Sequence, residues 1–174
     1  MTDVNQIPVI DKTTKLKTKP KRKVAETLAK LNQIHDELNA QLYANPTERP
    51  AITCPGDASE ILNAFIGSLD HEELWVINLD TRNRVRSLTK LYQGSVNSSQ
   101  VRVGEVFHQA VMENAAGIII AHNHPSGDVT PSPDDIAVTR AIQSAGKLLD
   151  IDVLDHLIVG NNRFTSLKEK GFWA

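Results

Sequence analysis

Apolar side chains change their spacing several times along this chain, and each change marks an element. Val24, Leu28, Leu31, His35, Leu38 and Leu42 recur at steps of three or four, the period that puts residues on one face of a helix. A helix is therefore expected from Val24 to about Tyr43, and the two prolines of "ANPTERP" end it as a linker reaching residue 50. Ile61, Leu62, Phe65 and Ile66 form the next stripe, predicting a helix capped by Asp57 or Ser59 that runs to about Leu69. "LWVINL" at Leu74 to Leu79 predicts a strand, and the polar turn "DTRNR" returns the chain into a second one from Val85 to Tyr92. So short a turn makes the pair antiparallel.

The helical period returns with Val103, Val106, Phe107, Ala110 and Val111 and stops near Asn114. Gly117-Ile118-Ile119-Ile120-Ala121 is short, β-branched and uninterrupted, the pattern of a central strand buried on both faces. Beyond it, a helix is expected from Pro133 to about Leu149, a strand over "DVLDHLIVG", and a short strand from Arg163 to Ser166 after the turn "NN". Helices and strands interleave around one mixed sheet, which makes the class α/β with the domain proper spanning residues 51 to 174.

Charge separates a tail from that domain. The net charge of the 174 residues is only -2, yet residues 1 to 23 hold seven lysines and arginines against Asp3 and Asp11. Such a segment buries too little apolar surface to offset its ordering entropy, so a disordered basic tail is expected. An arm of this kind can bind nucleic acid. The helix stripe that follows is narrow enough to lie on the domain edge or to pair with a second copy, which leaves a homo-oligomer open. No apolar run approaches the roughly 18 residues of a membrane span, and the start of the chain lacks the apolar stretch of a secretory signal. The expected compartment is cytoplasmic. Cys54, the single cysteine, has no partner for a disulfide and reads as an idle or packed thiol.

The chemistry is carried by "AHNHPSGD", Ala121 to Asp128. In an extended segment His122 and His124 point to one side while Asn123 points to the other. Pro125 keeps His124 out of the helical region. Two imidazoles so placed suit a single metal ion, although they could equally be polar residues at a strand end. Downstream, "SPDD" can supply a carboxylate from Asp135; the same letters read as a helix start, with Ser132 as cap, Pro133 in the first turn and Asp135 in the capping-box position. Spacing does not separate ligand from cap.

The string "AHNHPSGDVTPSPDDIAVTR", with "DHLIVG" downstream and "EELWVINLDTRNRV" upstream, resembles the RadC family of JAMM (MPN) domain proteins over about residues 53 to 168. The resemblance implies a curved mixed sheet flanked by helices, related in architecture to cytidine deaminases, and one zinc ion per chain held by His122, His124 and Asp135, with Ser132 as the motif serine. It also implies a glutamate base at the start of an early strand, here Glu72, with Glu73 as its neighbour. Residues 1 to 50 stand where fuller members have a helix-hairpin-helix region.

Such an ion would activate water and polarise a carbonyl. The expected function is zinc-dependent hydrolysis of a peptide or isopeptide-like bond in a protein or peptide substrate, with Glu72 moving the proton and Ser132 donating to the oxyanion. The alternatives are a DNA-repair-associated or DNA-binding accessory role, from the family's tradition and the basic tail, and, less favoured, a metal-dependent nuclease. Asp155-His156 reads as support for the site, and His35, His71 and His108 as helix-face or turn residues. Trp75 and Trp173 read as packing residues.

Overall fold

The computed structural model describes residues 49–94 and 101–173. The expected basic tail and the helix at Val24 to Tyr43 lie outside the described residues. Within them the chain runs α1 (Pro55–Ile66), β1 (Glu73–Leu79), β2 (Val85–Gln93), α2 (Val103–Glu113), β3 (Gly117–Asn123), α3 (Pro133–Leu149), β4 (Asp152–Gly160) and β5 (Arg163–Ser166). The strands form one sheet in the order β2-β1-β3-β4-β5. β1 is antiparallel to β2 and to β3, β3 and β4 are parallel, and β4 and β5 are antiparallel. The expected α/β architecture, a mixed sheet flanked by helices, is the one observed.

Period-two burial sorts the side chains onto two faces. Ile77, Leu79, Ile119, Ala121, Leu157 and Val159 pack with Ala58, Leu62 and Ile66 of α1. Leu74, Val76, Ile118 and Ile120 pack on the other face with Val106, Phe107 and Ala110 of α2 and Val138 and Ile142 of α3. β3 is covered on both faces and every one of its residues is buried, as its sequence requires. Gly146 permits the close return from α3 into β4, because a Cβ there would lie 2.6 Å from the Ile151 carbonyl and 2.7 Å from Val153.

α1 departs from expectation at both ends. It begins at Pro55, with Cys54 as N-cap. Asp57 sits three residues inside, where one carboxylate oxygen accepts from the Thr53 amide at 2.7 Å, the Thr53 hydroxyl at 2.7 Å and the Cys54 amide at 3.1 Å. Those Thr53 and Cys54 bonds bring the Asp57 pKa down to about 2. Proline suits the first helical turn, where its missing N–H is no loss, so the start lies two residues before the expected cap. The helix stops at Ile66. Phe65, expected in the core, is 54% exposed and lies against the half-buried Trp75, ring centroids 5.6 Å apart; Ile61 is only partly buried. Cys54 is an exposed free thiol. No helix among the described residues is long and apolar enough to cross a membrane.

Candidate metal centre

Three ligand atoms converge where β3 ends and α3 begins. His122 Nε2 and His124 Nε2 are 3.1 Å apart, and Asp135 Oδ1 is 3.2 Å from His122 Nε2. One ligand atom from each of the three residues fits within 4.8 Å of the others, a spacing that lets one ion touch all three. The side chains of His122 and Asp135 are 1% and 3% exposed, whereas that of His124 is 18% exposed. The cluster is therefore open on the His124 side.

Local chain geometry produces this convergence. The last residues of β3 are extended, so His122 and His124 project together. The His124 amide donates to the Val159 carbonyl at 2.9 Å, and the Gly127 amide closes a turn onto the His124 carbonyl at 2.9 Å. Gly127 has φ +76°, and a Cβ there would fall 2.1 Å from Asn161 Nδ2, which only glycine avoids. The turn carries the Asp128 carbonyl to 2.6 Å from His124 Nδ1. A carbonyl only accepts, so Nδ1 holds the proton and Nε2 is left with its lone pair.

The same logic fixes His122 through a chain of three bonds. The Thr139 hydroxyl donates to the Asp135 carbonyl at 2.6 Å and so accepts from His156 Nδ1, also at 2.6 Å. His156 Nε2 then accepts from His122 Nδ1 at 2.9 Å, and His122 Nε2 keeps its lone pair. Burial drives the His156 pKa down to about 3, so this imidazole is neutral, as the relay requires. Two lone pairs 3.1 Å apart beside a carboxylate repel unless a cation stands between them. The donor set, two neutral imidazoles and one carboxylate with one open side, can hold a metal ion and leave a position on it free.

Asp135 serves as cap and faces the histidines at once, because the cap uses one of its two oxygens and leaves the other to His122. Oδ2 accepts from the Ser132 amide at 2.7 Å and the Ser132 hydroxyl at 2.6 Å, while the Asp135 amide donates back to the hydroxyl at 3.1 Å. Oδ1 is left to face His122. Burial would raise the Asp135 pKa, but with a proton on His122 Nε2 in place of an ion, the hydrogen bond and charge of His122 and the two Ser132 bonds outweigh it and hold the carboxyl well below its usual range. The hydroxyl proton of Ser132 is thus committed to Asp135 rather than turned outward.

Sheet register separates the two glutamates. Leu74 pairs with His122, and the Gly94 amide donates to the Glu72 carbonyl at 2.9 Å, extending the β1–β2 ladder by one residue. Continuing the alternation puts Glu72 on the face of Leu74 and His122, and Glu73 on the other. Glu73 is 4% exposed and fully engaged: it accepts from Trp75 Nε1 at 2.8 Å, from His71 Nε2 at 3.0 Å and from Lys90. Burial opposes its charge, yet the Lys90, Trp75 and His71 bonds bring its pKa down to about 2. Glu73 is a structural anchor. His71 lies in the turn before β1, as expected, and its pKa is raised by its bonds to Asp70 and Glu73. His108 is exposed on α2, and His35 lies outside the described residues.

Thr139 and Asn123 were not singled out by the sequence. Thr139 had a signal, four residues after Asp135 and hence on the same helix face. Thr139→Val breaks the relay to His122 and is expected to weaken any metal binding at the cluster about 10- to 100-fold, measured by competition with a chromophoric chelator.

A family model described as the RadC-like JAB domain matches residues 52–172. A UPF0758 protein of Roseiflexus castenholzii is 54% identical over 130 residues, which cover 75% of this chain and 56% of the relative. A UPF0758 protein of Chloroflexus aurantiacus is 55% identical over 124 residues, 71% of this chain and 54% of its own length. One from Clostridium perfringens is 46% identical over 134 residues, with 77% and 59% covered. The chain thus spans little more than half the length of the curated relatives it matches.

Proposed function

The chain belongs to the RadC-like JAB domain family, and from that premise and the geometry of its His122–His124–Asp135 cluster we propose that it is a zinc-dependent hydrolase of peptide or isopeptide-like amide bonds. One observation carries the reading: both imidazoles have Nδ1 tied back, to the Asp128 carbonyl and to His156, so both Nε2 atoms face the Asp135 carboxylate, His122 at 3.2 Å from Oδ1 and His124 at 3.9 Å from Oδ2.

Zinc in such a site polarises a carbonyl and lowers the pKa of water towards about 7. The residues of the chain divide the remaining work. His122, His124 and Asp135 would hold the ion, and the partial exposure of His124 marks the side from which substrate enters. Glu72, on the same face as His122, would accept a proton from the attacking water and deliver it to the leaving amine. Ser132 would donate to the oxyanion, which requires its hydroxyl to turn from Asp135 Oδ2.

The test uses zinc-loaded and chelator-treated protein on three substrate classes: peptides, isopeptide-linked conjugates and DNA. Cleavage of an amide that disappears on chelation and returns with zinc is expected. Metal-dependent cutting of DNA with every amide left intact would overturn the assignment in favour of a nuclease.

A further inference from the structure

Asn123 stands between the two histidines of the metal centre, yet it faces the other side of the sheet and is 1% exposed. Its side-chain amide makes two bonds, both to the chain around Glu72. Oδ1 accepts from the Glu73 amide at 2.7 Å, and Nδ2 donates to the His71 carbonyl at 2.8 Å. These backbone groups lie two residues apart with Glu72 between them. The Asn123 amide thus acts as a peptide unit of a neighbouring strand would, extending the β1 ladder past the end of β3.

We propose that Asn123 is a positioning residue for Glu72, setting where the base stands relative to the metal centre; the inference rests on the function proposed above. A residue gripped at the carbonyl before it and the amide after it is held extended, and its side chain must leave on the face opposite its neighbours. Glu73 turns to the α1 face, where Lys90, Trp75 and His71 hold it, so Glu72 is sent to the face of His122. Because the grip comes from the residue joining His122 to His124, ligands and base share one rigid reference. A shift of the ligands carries the base with it. A misplacement of about 1 Å at a reacting centre can cost about 100-fold in rate, which is the scale of effect at stake.

The experiment compares wild type, Asn123→Ala, Asn123→Asp, Glu72→Gln and the double variant Glu72→Gln/Asn123→Ala. Three readouts are taken: zinc affinity, the pH midpoint of the visible absorption of the cobalt(II)-substituted protein, and kcat and KM on an amide substrate cleaved by the wild type. Asn123→Ala is expected to bind zinc as wild type does, to move the cobalt midpoint in the same direction as Glu72→Gln, and to lower kcat about 100-fold at unchanged KM. Asn123→Asp keeps the acceptor for the Glu73 amide and loses the donor to His71, so it should fall between wild type and Asn123→Ala. It also serves as the folded comparison should Asn123→Ala not fold. The double variant should be no slower than Glu72→Gln alone, since a positioning residue has nothing left to position. Wild-type kcat and cobalt midpoint in both Asn123 variants overturn the inference, as do additive losses in the double variant. If Glu72→Gln itself changes neither kcat nor midpoint, Glu72 is not the base, and both that reading and this inference fall.

Discussion

Replacing Glu72 by Gln is expected to lower kcat for amide cleavage about 100- to 10,000-fold, the usual contribution of a positioned general base, while zinc binding stays at the wild-type level. The substitution preserves size and shape while it removes the charge and the ability to carry a proton. The bonds that orient the metal cluster are made by other groups: His124 is tied to Asp128, His122 to His156 and Asp135 to Ser132. Glu73→Gln should do the reverse. It removes a buried charge on which Lys90, His71 and Trp75 converge, so the loss appears first in unfolding rather than in kcat. Unfolding curves and steady-state rates of the two variants, measured side by side, separate a base from an anchor. Equal kcat in wild type and Glu72→Gln would remove Glu72 from the mechanism.

Zinc should also stabilise the fold. An ion that binds only the native state adds RT ln(1 + [L]/Kd), about 4 kcal/mol at a free concentration 1,000 times Kd. In a domain of this size that corresponds to a rise in Tm of roughly 10 °C or more. The site brings together groups from β3 and from the first turn of α3 that are scattered in the unfolded chain, so little of the effect is lost to binding there. The stabilisation should weaken as pH falls, because protons compete for the same Nε2 lone pairs. Asp135→Ala should abolish the zinc-dependent rise. It should also lower the metal-free Tm, since it deletes one half of the capping box of α3, a loss of about 1 kcal/mol. Calorimetry with and without zinc, on both proteins, distinguishes the two contributions.

Much of this was written in local pattern. β3 was legible because a β-branched apolar run bounded by turns has one good solution, a strand covered on both faces. α3 was legible because Ser132, Pro133 and Asp135 spell its first turn, and it runs from Pro133 to Leu149 as expected. What the letters left open was whether Asp135 is cap or ligand; in the structure Oδ2 caps while Oδ1 faces His122, so the cap does not bar the proposed ligand role. α1 was misplaced for a related reason: Asp57 has the chemistry of an N-cap but accepts from Thr53 and Cys54, four and three residues behind it. Phe65 follows the apolar stripe yet lies outside the core, with Trp75 against one side of its ring. Asn123 was not legible at all. Its partners are 50 and 52 residues away in sequence, and only the pairing of β1 with β3 brings them together.

Every step of the proposed chemistry depends on an ion at the His122–His124–Asp135 cluster, and metal content tests that directly. Wild type and Asp135→Ala, equilibrated with zinc under the same conditions and freed of unbound metal, are to be assayed for zinc per chain. One zinc per wild-type chain and little or none in Asp135→Ala is the predicted result. Equal zinc in the two proteins would reduce Asp135 to a helix cap and contradict the site.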